Sequence, residues 1–387
     1  VPYFDYNATA PLAPVARETW LRLSDEAWHN PSSPTRDGAR ARLRLDAARQ
    51  RLGEFLGAKP ERIVFNSGAT EGAHSVLAHW ARTLPKTTRL AINPTEHPCV
   101  LEAARFSFAE RIIPLELTGD GVVKPEALEK CFADASRSPE RAPLAVVVMA
   151  ANNETGVLQP WRELGALCAR HRAPFLCDAT QWLGKLPAAG LGEIGWVIGS
   201  AHKFGGPKGC GFVVLPGQAE SFCAQPGGAQ ENGHRSGTEN LPAIAAGVAA
   251  LAEAEQARMF LEEERLRWRR EFEHAVVTAL PGTRIVAAEA ERLWNTVALI
   301  PPYAENTRWV AKLDKRGFQV STGSACATGK EGPSPVLAAL GVPPEQARRV
   351  VRVSGGWETT ADDWRALADA FSDVAKEIAP APQVISP

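Results

Sequence analysis

Four short apolar runs in this sequence each lead into small or reactive polar residues. Ile63-Val64-Phe65 is followed by Asn66-Ser67-Gly68-Ala69-Thr70-Glu71-Gly72, and residues 145–149 by Asn152-Asn153-Glu154-Thr155-Gly156. Phe175-Leu176-Cys177 is followed by Asp178-Ala179-Thr180-Gln181, and Trp196-Val197-Ile198 by Gly199-Ser200-Ala201-His202-Lys203. In an open parallel sheet, ligands bind beyond the carboxyl ends of the strands, so these are the positions where chemistry is expected. Ser67 to Thr70 offers backbone N–H groups and hydroxyls at a helix start, which makes either an anion seat or an ordinary strand–helix turn. Asp178, directly after an apolar run, is a helix cap or the partner of a buried cation, because an unpaired buried carboxylate is costly. A Lys among small neighbours at the mouth of a sheet has the setting for a lowered pKa and Schiff-base chemistry, although a lone Lys is ordinarily just solvated. Consecutive strand ends that present Asn, then Asp and Gln, then Ser, His and Lys favour one shared site.

Other chemistries are excluded. Gly205 to Gly211 lacks the P-loop spacing, and between Gly323 and Gly329-Lys330 there is one residue too many, with Glu331 where Ser or Thr is required. Asn7-Ala8-Thr9 matches a glycosylation sequon, but Val1-Pro2-Tyr3-Phe4-Asp5 carries no export signal, so the match is read as chance. The missing initiator Met points to a trimmed chain. With 43 Lys and Arg against 44 Asp and Glu, the net charge is −1, so no global field attracts nucleic acid or an anionic membrane. The longest apolar stretches, near 144–151 and 241–252, fall short of the ~18 to 20 residues that span a bilayer. Seven cysteines at 99, 131, 168, 177, 210, 223 and 326 form no C-x-x-C pair, which argues for a reducing, cytoplasmic compartment. Six of them read as small buried hydrophobes, with Cys326 set apart.

The elements that must position these residues follow from periodicity. With 387 residues, 45% apolar and 22% charged, the chain reads as an ordinary globular protein of two domains. Leu45, Ala48, Leu52, Phe55 and Leu56 lie at helical spacing and stop at Gly57, a predicted C-cap. Short strands that are apolar on both faces, alternating with helices, predict a mostly parallel sheet covered on both sides. From about residue 256 the texture changes: a charged helix over 262–273, strand-like runs within 284–300, at Phe318-Gln319-Val320 and over 350–353, and a last helix with Thr360 as N-cap. The expectation is a large α/β domain over 14–256, with 1–13 and 257–387 forming a smaller α+β C-terminal lobe. The cleft between them is the default ligand site.

Taken in order, these motifs resemble the cysteine desulfurases of the iron–sulfur and nitrogen-fixation type, in the class V branch of the fold-type I pyridoxal-phosphate enzymes. The resemblance runs over almost the whole chain. It begins with Tyr3-Phe4-Asp5-Tyr6-Asn7-Ala8-Thr9, Asn30-Pro31-Ser32-Ser33 and Thr95-Glu96-His97. It continues through the strand-end motifs to Arg235-Ser236-Gly237-Thr238-Glu239-Asn240, Ser321-Thr322-Gly323-Ser324-Ala325-Cys326 and Val351-Arg352-Val353-Ser354.

The resemblance implies that Lys203 carries pyridoxal 5'-phosphate, Asp178 pairs with its ring nitrogen and Gln181 bonds its phenolic oxygen. It further implies that His97 stacks on the ring and moves protons, that Asn153 supports the ring edge, and that Ala69, Thr70, Ser200 and His202 surround the phosphate. By the same resemblance Thr238 would reach the phosphate of a neighbouring subunit, which implies a homodimer with shared sites, and Arg352 with Asn30 and Asn153 would bind the substrate carboxylate. The implied reaction converts L-cysteine to L-alanine and leaves the sulfur on Cys326 as a persulfide, for an acceptor protein that the sequence does not identify. The small residues before Cys326 predict a mobile loop and an accessible thiol.

Two departures bear on that acceptor. Ala327-Thr328-Gly329-Lys330-Glu331-Gly332 is more charged and glycine-rich than the family's run of Ser and Thr, and Ala379-Pro380-Ala381-Pro382 lacks the usual scaffold-binding tail. The rival readings are a selenocysteine lyase or cysteine C–S lyase on the same scaffold, and a non-catalytic partner-binding homologue.

Overall fold

The computed structural model describes residues 2–137, 143–217, 219–323 and 334–379. Its strands are β1 (Ile63–Asn66), β2 (Arg89–Ile92), β3 (Ile112–Pro114), β4 (Leu144–Val147), β5 (Phe175–Asp178), β6 (Trp196–Ser200), β7 (Gly211–Val214), β8 (Arg284–Ile285), β9 (Thr296–Ile300) and β10 (Val351–Ser354). The first six helices are α1 (Pro14–Glu26), α2 (Arg36–Leu56), α3 (Ala69–Thr83), α4 (Pro98–Phe108), α5 (Pro125–Arg137) and α6 (Trp161–Arg170). Then come α7 (Leu241–Ala279), α8 (Asn306–Asp314), α9 (Pro335–Ala339), α10 (Pro344–Ala347) and α11 (Ala361–Ile378).

Seven strands form one sheet in the order β1-β7-β6-β5-β4-β2-β3, in which β7 runs antiparallel to both neighbours and the remaining pairs are parallel. Side-chain alternation sends Val146, Cys177, Val197 and Phe212 to one face, with α2, α6 and the start of α7. Ala145, Val147, Leu176, Ile198 and Val213 go to the other, with α3 and α4. Both faces are buried, which is why these strands carry no polar alternation. The helix caps follow the sequence: Gly57 ends α2 at φ +70°, and Thr360 forms a capping box with Asp363 at the start of α11.

A second, antiparallel sheet of order β10-β9-β8 packs with α8, α11 and the end of α7. Phe4 belongs to this core, and its backbone bonds Gln319 and Ser354. The architecture is therefore α/β with a mostly parallel central sheet and a smaller mixed unit. Two local expectations differ from the structure. The apolar stretch from 241 and the charged helix near 262–273 are one helix of 39 residues, α7, whose first half lies in the core of the large sheet and whose Phe272 and Val276 lie in that of the small sheet. Its charged middle, carrying Arg258–Glu255 and Arg258–Glu262 pairs, is where it crosses between cores. Residue 256 lies inside this helix. Phe318-Gln319-Val320 is not a strand: left-handed turns at Gly317 and Gly323 leave room only for single bridges at Gln319 and Ser321.

Candidate active site

The register of the large sheet gathers the polar residues at one edge. Ser200 and Asn66 both stand opposite Gly211, and Asp178 stands beside Ile198, so the carboxyl ends of β1, β5 and β6 open on the same side. Gly68 precedes α3 with φ +149°, ψ 176°, a conformation essentially restricted to glycine, and aims the first turn of α3 at that edge. A side chain on Gly211 would meet the Gly68 backbone at 2.5 Å, so the close approach of the two segments needs glycine.

The result is a cavity of about 590 Å³ lined by Ala69, Thr70, His97, Asn153, Asp178, Gln181, Ser200, His202 and Lys203, together with Ala8, Thr9, Cys99, Met149 and Thr180. Lys203 Nζ donates to the carbonyls of Asn7 and Ala8 at 2.7 and 2.8 Å. Asp178 accepts from Thr180 N–H at 2.9 Å, and the buried Asn153 Oδ1 and Thr180 Oγ1 have no hydrogen-bond partner among the described residues. His202 Nδ1 lies 3.0 Å from Thr9 Oγ1, and burial followed by the charges of Lys203, Lys208 and Lys185 lowers its pKa to about 4. Burial also lowers that of His97; Asp178 opposes this, and Lys203 and Arg352 reinforce it.

His97 caps α4, its Nδ1 accepting from Cys99 N–H at 3.2 Å, so the ring proton belongs on Nε2 in the neutral form. Cys99 Sγ lies 3.0 Å from the same nitrogen. Cys99 is therefore not a simple core cysteine: the first turn of α4 turns it into the cavity. Glu96, fully buried, accepts from Met149 N–H; burial and then Asp178 push its carboxyl well above the usual range.

Three predicted residues lie elsewhere among the described ones. Arg352, 1% exposed, is paired with Asp5 at 2.6 Å and donates to the carbonyls of Asn153 (3.1 Å) and Gly323 (2.8 Å). It thereby ties the small sheet both to the cavity wall and to the segment that leads toward Cys326. Asn30 is exposed between α1 and α2, its Oδ1 accepting from Ser32 N–H, and Thr238 is exposed ahead of α7; neither lines the cavity. Cys326 lies outside the described residues. Sequence reasoning passed over Lys185, which is buried and donates to Gln181 Oε1 at 3.1 Å. The one available signal was a Lys between Gly184 and Leu186 in an otherwise apolar stretch.

Comparison with known proteins identifies the family. The aminotransferase class-V family model matches residues 2–367. The chain is 32% identical over 382 residues to cysteine desulfurase IscS of Dictyoglomus turgidum, covering 97% of this chain and 95% of that one. It is 34% identical over 387 residues to a cysteine desulfurase of Cereibacter sphaeroides, covering 97% and 96%. A solved NifS-like protein superposes with a TM-score of 0.87 at 28% identity, covering 97% of this chain and all of that one. With a fold-type I architecture, strand-end Asp178 and Lys203 on one cavity, and similarity along nearly its whole length, the chain belongs to the class-V aminotransferase family and, within it, to the cysteine desulfurases.

Proposed function

We propose that this cavity binds pyridoxal 5'-phosphate and that the protein uses it to move sulfur from L-cysteine to Cys326. The observation that carries the reading is the convergence of nine of the predicted residues on one cavity, with Asp178 and Lys203 at the ends of adjacent chain segments. The donor set fits the cofactor. The first turn of α3 with Ser200 and His202 suits a phosphate, Asp178 suits a protonated ring nitrogen, and Lys203 suits a carbonyl carbon. When bound, pyridoxal phosphate supplies an electron sink for the bonds around the substrate's α-carbon.

The protein's own residues do the rest. Lys203 Nζ, steadied by two carbonyls, and His97, whose pKa burial lowers, hold and move protons. Arg352 offers a guanidinium to the substrate carboxylate by exchanging its bond with Asp5. Cys326, as thiolate, attacks the substrate's sulfur. The S–S bond forms as the C–S bond breaks, whose electron pair stays with the carbon fragment, and that fragment takes up protons to leave as L-alanine. The persulfide then passes to an acceptor protein.

A homodimer with shared sites is part of the proposal, supported by the exposure of Thr238 and by apolar side chains standing in solvent on α1 and α2 and in the loop between them, Leu21 (52% exposed), Leu43 (70%) and Trp28 (71%). A cytoplasmic setting is supported by the free thiols of Cys131, Cys168, Cys177, Cys210 and Cys223. Among the described residues, no helix is long and apolar enough to cross a membrane. The division into 14–256 and 1–13 with 257–387 is also proposed, supported by the pairing of Phe4 with the small sheet. The scaffold reading is not favoured, since Lys203, Asp178 and Cys326 are all present, and the lyase reading is not favoured, since Cys326 is retained.

The test is an absorbance spectrum of the protein before and after L-cysteine, with sulfide (plus reductant) and alanine assayed, for wild type and Cys326→Ala. A yellow protein that releases sulfide and alanine in equal amounts, with activity lost in the variant, is expected. Sulfide with pyruvate, undiminished in the variant, would make it a C–S lyase. A protein that pyridoxal phosphate cannot colour would sink the enzyme reading.

A further inference from the structure

The Gln181 carboxamide is held from both ends. Its Nε2 donates to the Asn7 carbonyl at 2.9 Å, and its Oε1 accepts from Lys185 Nζ at 3.1 Å. A lysine amine offers N–H donors, and a backbone carbonyl only accepts, so the two partners select one orientation of the amide. The flipped amide would face Lys185 with N–H groups and the Asn7 carbonyl with its own oxygen. In the selected orientation, Nε2 keeps one N–H that Asn7 does not use. The Asn7 carbonyl is the same one that accepts from Lys203 Nζ at 2.7 Å, so this amide nitrogen stands next to the lysine on which the chemistry is centred.

We propose that Lys185 is a positioning residue, holding Gln181 by its amide oxygen so that an N–H rather than a carbonyl faces the phenolic oxygen of pyridoxal phosphate. The inference rests on the cofactor reading of the cavity. Lys185 and Gln181 are each 4% exposed, so packing leaves both side chains little room to turn, and Trp294 Nε1 fixes the Lys185 backbone through its carbonyl at 3.0 Å. Burial, followed by the charge of Lys203, pushes the Lys185 amine down to about 7, and charged or neutral it retains N–H donors. An amine buried this deeply is costly unless it has a fixed partner, and its partner is Gln181.

The experiment compares wild type, Lys185→Met, Gln181→Ala and the double variant. Apoproteins are titrated with pyridoxal phosphate by tryptophan fluorescence, and the pH midpoint of the visible band is read on the loaded forms. Lys185→Met is expected to weaken cofactor binding about tenfold, the effect of losing one well-placed donor. It is also expected to move the midpoint upward, because a phenolate without its N–H donor holds a proton more tightly. In the Gln181→Ala background, the same replacement is expected to change binding less than about twofold, since residues acting through one contact are not additive. Equal effects in both backgrounds, or none in either, would overturn the role.

A wild-type apoprotein that does not bind pyridoxal phosphate would overturn the cofactor reading itself, and this role with it. Because Lys185→Met leaves a buried amide oxygen unpaired, folding is checked by thermal melting, and a crystal structure of the loaded wild type supplies an independent measurement. Gln181 Oε1 on Lys185 with Nε2 toward the phenolic oxygen is expected there. Lys185 Nζ turned to another acceptor refutes the proposal.

Discussion

His202 stands where a phosphate is proposed to sit, yet in the apoprotein the charged groups that act on it are the lysines Lys203, Lys208 and Lys185. Burial and these charges lower its folded pKa to about 4, from an ordinary value of 6.5. Between those two values the unfolded chain binds more protons at this site than the folded one. The apoprotein should therefore keep the full contribution above pH 6.5 and lose it progressively as pH falls to about 4. Thermal melts of apoprotein across that range should show a shallower decline for His202→Gln than for wild type. Parallel curves would mean the imidazole titrates normally. A bound phosphate should reduce the difference, since its negative charge favours the protonated ring.

At the scale of elements, the proposed phosphate seat depends on how α3 begins. Gly68 has no cap side chain and occupies a region of backbone space that other residues adopt only under strain. Gly68→Ala should destabilise the apoprotein by about 1–3 kcal/mol in denaturant unfolding, and weaken pyridoxal phosphate binding because the first turn of α3 is displaced. Unchanged binding with unchanged stability would show that the turn tolerates a side chain. Thr360 at the start of α11 shows the contrast. Its N-cap was legible from Thr360, because capping is a local matter of a few side chains and backbone N–H groups, and the structure adds the reciprocal bond from Asp363. That the turn at Gly68 faces the same edge as Ser200 could be read only from the register of β1, β7 and β6.

At the scale of the whole molecule, the proposed dimer makes Thr238 informative. It lies outside the cavity of its own chain, so in a monomer Thr238→Ala should leave cofactor binding unchanged. In the dimer the variant should weaken binding several-fold, because a hydrogen bond to a charged phosphate is lost. Sedimentation equilibrium should report twice the chain mass of 41.6 kDa. A single-chain mass, or unaltered affinity in the variant, would remove the shared-site arrangement.

By itself the sequence determined the alternation of strand and helix, the burial of both faces of the central sheet, and the identity of the residues at the strand ends. Each of these is encoded locally, in periodicity, in apolar runs and in the polar residues that end them. It also carried, through resemblance, Cys326 and the chemistry expected of it. Tertiary structure decided what no local pattern contains. It merged 241–279 into one helix between two cores, and denied Phe318-Gln319-Val320 a ladder. It turned Cys99 toward His97 and placed Lys185 under Gln181. It also left Arg352 bonded to Asp5. Such pairings join residues up to 347 positions apart, and only packing sets their distances.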